Sequence, residues 1–203
     1  MIPVALATED ELSEAVGLKL LSEHPDLAAV PPMLLRKNGF GYLRSRIESW
    51  RQMAERQLVV VLTDLDRIAC PVVLLNDWLG ARQRPNNLLL RVAEREVESW
   101  LLADHEALAI LLGPQGRFPV QPDTLADPKQ HLLDLARRAP RSVKADLVAQ
   151  QGAVAKQGIG YNRRLVDWVR NEWSPERAAL RSPSLLRARN AMRDAVTRLA
   201  PVR

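Results

Sequence analysis

The apolar positions of the chain fall into two alternating patterns. Leu58 to Thr63 (LVVVLT) is five apolar residues closed by a threonine, with no polar residue in between. A strand buried on both faces gives that pattern, and such strands belong to parallel sheets. Val4–Ala7 and Leu88–Ala93 are further short apolar runs of strand length. Val30 to Leu35 is weaker and broken by two prolines, which suits an edge strand. Between these runs the apolar spacing becomes helical. Leu12, Ala15, Val16, Leu18, Leu20 and Leu21 predict a helix ending near His24-Pro25, with Thr8 as N-cap and Glu11 as its capping-box partner. Tyr42 to Gln57, Val72 to Leu79 and Glu96 to Leu112 predict three more helices, and Asn38 to Gly41 a loop. Strand–helix alternation with short connections predicts an α/β fold with a mostly parallel sheet.

The character changes at Gly113. Residues 114–126 are rich in proline and read as a linker or long loop. Residues 127–203 read as helices: Lys129 to Arg138 behind the Asp127-Pro128 start, Ser142 to Gln150, Asn162 to Glu172, and Pro183 to Leu199. A glycine-containing turn, Gln157 to Tyr161, interrupts them. The organisation is thus an α/β domain over 1–113 and a helical extension over 127–203 packed on it.

Charge sharpens this division. Residues 1–113 carry 12 Lys and Arg against 16 Asp and Glu, whereas residues 114–203 carry 17 against 8. An acidic first part with an arginine-rich second part suits a metal-dependent enzyme acting on nucleic acid; solvated arginine-rich helices account for the basic half equally well. Lys129, Lys156, Arg163 and Arg164 are the candidate contacts to nucleic acid. Lys129 stands at a helix N-terminus, where its charge opposes the macrodipole and suggests a facing anion. Gly158 and Gly160 beside Lys156 offer a close approach to a phosphate backbone. A single cysteine, Cys70, excludes an internal disulfide and a cysteine-rich zinc site. The three histidines lack metal-ligand spacing. The five tryptophans read as core, with base stacking by Trp168 or Trp173 as the alternative. No secretory signal opens the chain and no apolar run is long enough to span a bilayer, so no membrane is expected and the cytoplasm is the expected setting.

The chemistry concentrates where strands end. Ligands of parallel α/β sheets bind beyond the carboxyl ends of the strands. The central run ends in Asp64-Leu65-Asp66, and residues two apart in an extended chain point to one side. Mg²⁺ binds through one or two carboxylates plus water and phosphate. The structural alternative is a helix cap by Asp66 and an ion pair between Asp64 and Arg67. Glu9 to Glu11 follow the first strand, where helix-start acids are also ordinary. Glu94, Glu96 and Glu98 follow the strand ending at Ala93. Glu98 lies in a mostly apolar run and risks unpaired burial.

Glu9 in ATEDELSEAV and Asp64 and Asp66 in VVVLTDLDR resemble the TOPRIM fold of topoisomerases, primases and related nucleases, and the segment RVAEREVESWLLAD is similar to a signature of small bacterial TOPRIM-like proteins of unknown function, several of which sit beside phage-defence genes. The likeness covers residues 1–113; the DPKQ and GIGYN segments recur in that family without an assigned role. It implies Mg²⁺-dependent phosphodiester cleavage, with Mn²⁺ as a substitute. Glu9 would serve as general acid/base or metal ligand, Asp64 and Asp66 would hold the metal, and Glu98 (before Glu96) would complete the shell. Asp10 replaces the glycine usual after the motif glutamate, which leaves Glu9 and Glu11 both eligible. No topoisomerase tyrosine context or primase zinc module accompanies the motifs, so a nuclease is the preferred member of the class. Nucleic acid is the expected partner, with a defence-system protein and a second copy of the chain as further options. Two rival functions stand beside it: a nucleic-acid or partner-binding protein with a degenerate acidic site, and a haloacid-dehalogenase-type phosphatase with Asp64 as nucleophile and Asp66 as acid/base. The second lacks the Gly-Thr that normally follows the aspartates; Arg67-Ile68 stands there.

Overall fold

The computed structural model describes residues 1–36, 41–114, 117–152 and 154–200 of the 203. Four strands, β1 (Val4–Thr8), β2 (Met33–Arg36), β3 (Leu58–Asp64) and β4 (Leu88–Ala93), form one sheet in the order β2-β1-β3-β4, all parallel. The apolar runs explain the order. β1 and β3, whose side chains are buried on both faces, occupy the centre; β2, with Met33 and Leu34 exposed, is an edge. No described helix is long and apolar enough to cross a membrane.

The first-half helices are α1 (Glu11–Ser22), α2 (Pro25–Ala28), α3 (Tyr42–Ser45), α4 (Ile47–Met53), α5 (Pro71–Leu79), α6 (Glu98–Leu102) and α7 (His105–Leu112). The second half adds α8 (Pro128–Ala136), α9 (Arg141–Leu147), α10 (Tyr161–Asn171), α11 (Pro175–Ala179) and α12 (Pro183–Leu199). Alternate residues of each strand feed two cores. Ala5, Ala7, Val59, Val61, Leu88 and Leu90 pack with α3, α4 and α5. Leu6, Val60, Leu62 and Leu89 pack with α1, α6, α7 and the helices α8–α12. The second core runs from Ile2 to Ala195, so the helical region shares the core of the sheet.

Several local expectations change. The N-cap of α1 is Asp10, whose carboxylate accepts the Ser13 N–H at 2.8 Å; Thr8 is instead the buried last residue of β1. The helix over 42–57 is two helices, α3 and α4, joined at Arg46. The helix over 96–112 breaks where Asp104 caps α7. The 38–40 part of the expected loop lies outside the described residues. Segment 117–126 is anchored: Asp123 accepts from the Ser182 hydroxyl at 2.7 Å and from the Ser184 N–H at 2.8 Å. Trp168 and Trp173 are buried, their indole N–H groups donating to the Ala107 and Trp100 carbonyls at 3.2 Å each, so both are core and not free to stack on a base.

The glycine turn has a structural reason. A side chain at Gly158 would collide with the Asp146 carbonyl at the end of α9, and one at Gly160 would meet the Asp146 carboxylate. Gly158→Ala is therefore expected to destabilise the fold by ~1–3 kcal/mol, as overpacking does; urea unfolding measures it, and a loss below ~0.5 kcal/mol would show that the α9–α10 corner relaxes freely.

Candidate functional site

The chain passes from β1 to β2 on one side and to β3 on the other, so the topological switch point lies between β1 and β3. The two expected acidic segments lie at its carboxyl end. Glu9 directly follows β1 and accepts a hydrogen bond from the Thr63 hydroxyl of β3 at 2.8 Å. Asp64 closes β3, and its carboxylate accepts the Val97 N–H at 2.9 Å from beyond β4. Glu9, Asp64 and Asp66 line one cavity of about 150 Å³, with Arg44 and Asp77, themselves paired at 2.8 Å, also in its wall. Glu11 points elsewhere, into an exposed ion pair with Arg36 at 3.0 Å. Neither ordinary role for the two aspartates is met. The N-cap of α5 is Cys70, not Asp66, and Asp64 is bonded to Val97 and not to Arg67.

Two residues with left-handed backbones hold this edge. Asp66 has φ 49° and Arg95 φ 61°, both unusual for residues other than glycine. They are locked to each other: the Asp66 N–H donates to the Arg95 carbonyl at 2.8 Å, and the Arg95 guanidinium donates to the Asp66 carbonyl at 2.9 Å and the Ile68 carbonyl at 3.1 Å. Strain held by surrounding hydrogen bonds is concentrated at functional sites. Arg95 carries no sequence signal for this role, since nothing marks a left-handed arginine.

Electrostatics set these acids apart. Burial pushes Glu9 above the ordinary carboxyl range, with the charges of Asp66 and Asp10 adding to it against the Thr63 hydrogen bond. Asp64 is raised well above its usual value, chiefly by burial and then by repulsion from Glu98, Asp10, Glu9 and Asp66. Glu98 is buried on α6 and does not line the cavity. Its carboxylate accepts from the Tyr161 hydroxyl of α10 at 2.8 Å, a partner 63 residues away that the sequence did not reveal. Burial raises Glu98 to about 7, Lys129 opposes this, Glu96 adds to it, and the Tyr161 hydrogen bond opposes it. Glu96 accepts the Lys129 backbone N–H at 2.9 Å and so fastens the start of α8.

Of the four basic candidates, Lys129 stands next to the acids, its ammonium 5.0 Å from the centre of the Tyr161 ring. Lys156 is exposed beside the turn that leads into α10. Arg164 is held by Asp146 at 2.8 Å, and Arg163 lies more loosely, 3.8 Å from the same carboxylate. None of these four lines the carboxylate cavity. Lys129→Met and Tyr161→Phe are each expected to raise Glu98 further above about 7, because each removes a group that favours its ionised form. Carbon-13 NMR titration of the glutamate carboxyls reads this; an unmoved or lowered midpoint in both variants contradicts it.

A hard-oxygen donor set is present, and the mutual repulsion of Glu9, Asp64 and Asp66 is what a divalent cation would relieve. Among the described residues no group of three or more His, Cys, Asp or Glu side chains converges to form a ready-made metal cage. What lines the cavity is carboxylate oxygen from Glu9, Asp64 and Asp66, the donor chemistry that hard cations such as Mg²⁺ take. The chain matches no family model, no curated protein and no solved structure among known proteins.

Proposed function

We propose that the cavity at the β1–β3 switch point hydrolyses phosphodiester bonds of nucleic acid with the help of Mg²⁺, for which Mn²⁺ would substitute. The observation that carries this reading is the placing of Glu9, Asp64 and Asp66, from two neighbouring strand ends, around one cavity. The resemblance of those segments to TOPRIM nucleases and the basic second half of the chain support it. Asp64 with Glu9 or Asp66 would hold the cation, which when bound supplies charge stabilisation to the phosphoryl oxygens. The chain's own residues do the rest. The Thr63 hydroxyl orients Glu9, and the Val97 N–H fixes Asp64. Glu9, raised by burial, is suited to carry a proton to or from a reacting oxygen as general acid/base. Arg44, in the cavity wall, offers a cation to a substrate phosphate. Glu98 is buried against Tyr161 and so contributes through its charge on Asp64 in place of direct contact. A cytoplasmic location and a phage-defence setting belong to this proposal and rest on the sequence reading alone.

The test is cleavage of labelled single- and double-stranded DNA and RNA with Mg²⁺, with Mn²⁺ and with EDTA, alongside p-nitrophenyl phosphate. Cleavage with either metal and none in EDTA supports the proposal. Binding of nucleic acid without cleavage under any condition favours the binding-module reading. Release of phosphate from the monoester alone favours the phosphatase reading.

A further inference from the structure

Arg91 lies in β4, the edge strand beside α12. Leu89 and Ala93, which share its face by strand alternation, belong to the core on the α12 side. An arginine in that row lays its stem and Nε against apolar neighbours, and Arg91 is half-buried. A charge so placed is ordinarily paired with a carboxylate, because an unpaired one is costly to bury. Arg91 forms no ion pair among the described residues. Its Nε is sealed from solvent with no hydrogen-bond partner among the described residues. The charges that act on it are alike: Arg84, from the segment before β4, and Arg187, from the second turn of α12, the helix packed on β4. Burial, then the charges of Arg84 and Arg187, lower Arg91 to about 10. Arg84 is exposed, and Arg187 holds Glu94 at 3.2 Å, so among the described residues the carboxylate bonded to this group serves Arg187 and not Arg91.

We propose that Arg91, flanked by Arg84 and Arg187, forms an anion site for phosphate oxygens, separate from the carboxylate cavity. Three guanidiniums from three segments, one of them with a buried nitrogen that has no partner among the described residues, match the several oxygens of a phosphate group, which guanidinium forks bind in paired hydrogen bonds. The site stands whether or not the carboxylate cavity is catalytic. Its phosphate can belong to a nucleic-acid backbone or be free in solution. The competing explanation is that Arg91 lays its stem on the core and leaves its head in water; that explanation predicts no response to phosphate.

Two measurements decide it, each on wild type, Arg91→Met, which keeps the apolar stem, and Arg84→Gln, which lies at an exposed position. The first is thermal unfolding in inorganic phosphate against chloride at matched ionic strength. Phosphate is expected to raise the wild-type Tm above the chloride value, as a ligand of the native state does. Arg84→Gln should reduce this gain. Arg91→Met should abolish it, while starting from an equal or higher Tm. The second is fluorescence anisotropy of a labelled single-stranded oligonucleotide in EDTA over a salt series. If the phosphate is that of a backbone, Arg91→Met weakens binding roughly tenfold, as loss of a charged hydrogen bond does. The slope of log K against log salt then also falls by ~0.7. Loss of the phosphate effect with oligonucleotide binding unchanged assigns the site to free phosphate. If chloride stabilises wild type as well as phosphate does, and Arg91→Met binds the oligonucleotide with unaltered affinity and slope, the site is overturned. Failure of nuclease activity leaves both readouts standing.

Discussion

Asp64→Asn is expected to remove metal-dependent cleavage and, in the absence of metal, to leave the protein more stable at pH 8 than wild type. The activity loss follows from its place at the end of β3, in the wall of the cavity that Glu9 and Asp66 also line; Glu9→Gln, which deletes the proton carrier, should cost about 10²–10⁴-fold in kcat, and Asp64→Asn no less. The stability gain follows from the direction of the Asp64 shift. Its folded-state pKa is raised well above the ordinary value by burial and by Glu98, Asp10, Glu9 and Asp66. The native protein therefore binds protons more tightly than the unfolded chain, and stability falls as pH rises from the unfolded carboxyl range through the folded values. Glu9 is raised as well, and Glu98 reaches about 7, so the fall extends from about pH 4 to beyond neutrality. An asparagine carries no such charge and can still accept the Val97 N–H. Thermal unfolding in EDTA from pH 5 to 8 should show wild type losing Tm with a shallower loss in Asp64→Asn. Added Mg²⁺ at pH 8 should restore wild type and leave the variant unmoved. A variant less stable than wild type at pH 8, with the same pH slope, would mean that Asp64 is not a strained carboxylate and would remove the electrostatic case for a cation there.

The central strands were legible because their physics is local. LVVVLT is apolar on both faces, LLLRVA is apolar but for Arg91, and β3 and β4 begin where those runs begin. The acids at the strand ends were legible for the same reason, since a parallel strand fixes where its carboxyl end points. Helix breaks were not. Periodicity continues across Arg46 and across Ala103-Asp104, and what stops the helices is tertiary: the Trp50 indole donates to the Leu43 carbonyl at 3.2 Å, and Asp104 turns to α11. Thr8 and Asp10 are both good cap residues for α1, and only the burial of Thr8 in β1 decides between them. Tyr161, Arg95 and Arg91 carry no signal in their own segments. Each gains its role from a partner, or the lack of one, supplied by a distant part of the chain.

That dependence on distant partners makes Asp104 the residue whose loss should cost the fold most. Its side chain is fully buried and receives four hydrogen bonds: the Ala107 N–H at 3.3 Å, the Ser174 N–H at 2.8 Å, and the Arg177 guanidinium through Nε at 2.9 Å and Nη2 at 2.8 Å. One carboxylate thus caps α7, fixes the start of α11 and pairs an arginine. Breaking a buried pair by removing one partner costs about 3–5 kcal/mol, much of it from the groups left behind. Asp104→Ala strands the Ser174 N–H and opens the α7 cap, so the full range applies. Arg177→Met should cost less, because the Arg177 side chain is about one-third exposed and Asp104 would keep both backbone donors. The order of the two losses separates a carboxylate that organises the junction from one that merely balances a charge. Urea unfolding reads both. If α8–α12 share one core with the sheet, Asp104→Ala shifts the midpoint of a single transition without changing its slope. Two transitions would mean that the helices unfold as a unit apart from the sheet. A loss below ~1 kcal/mol would mean that water replaces the carboxylate, and that α11 is held by its apolar contacts alone.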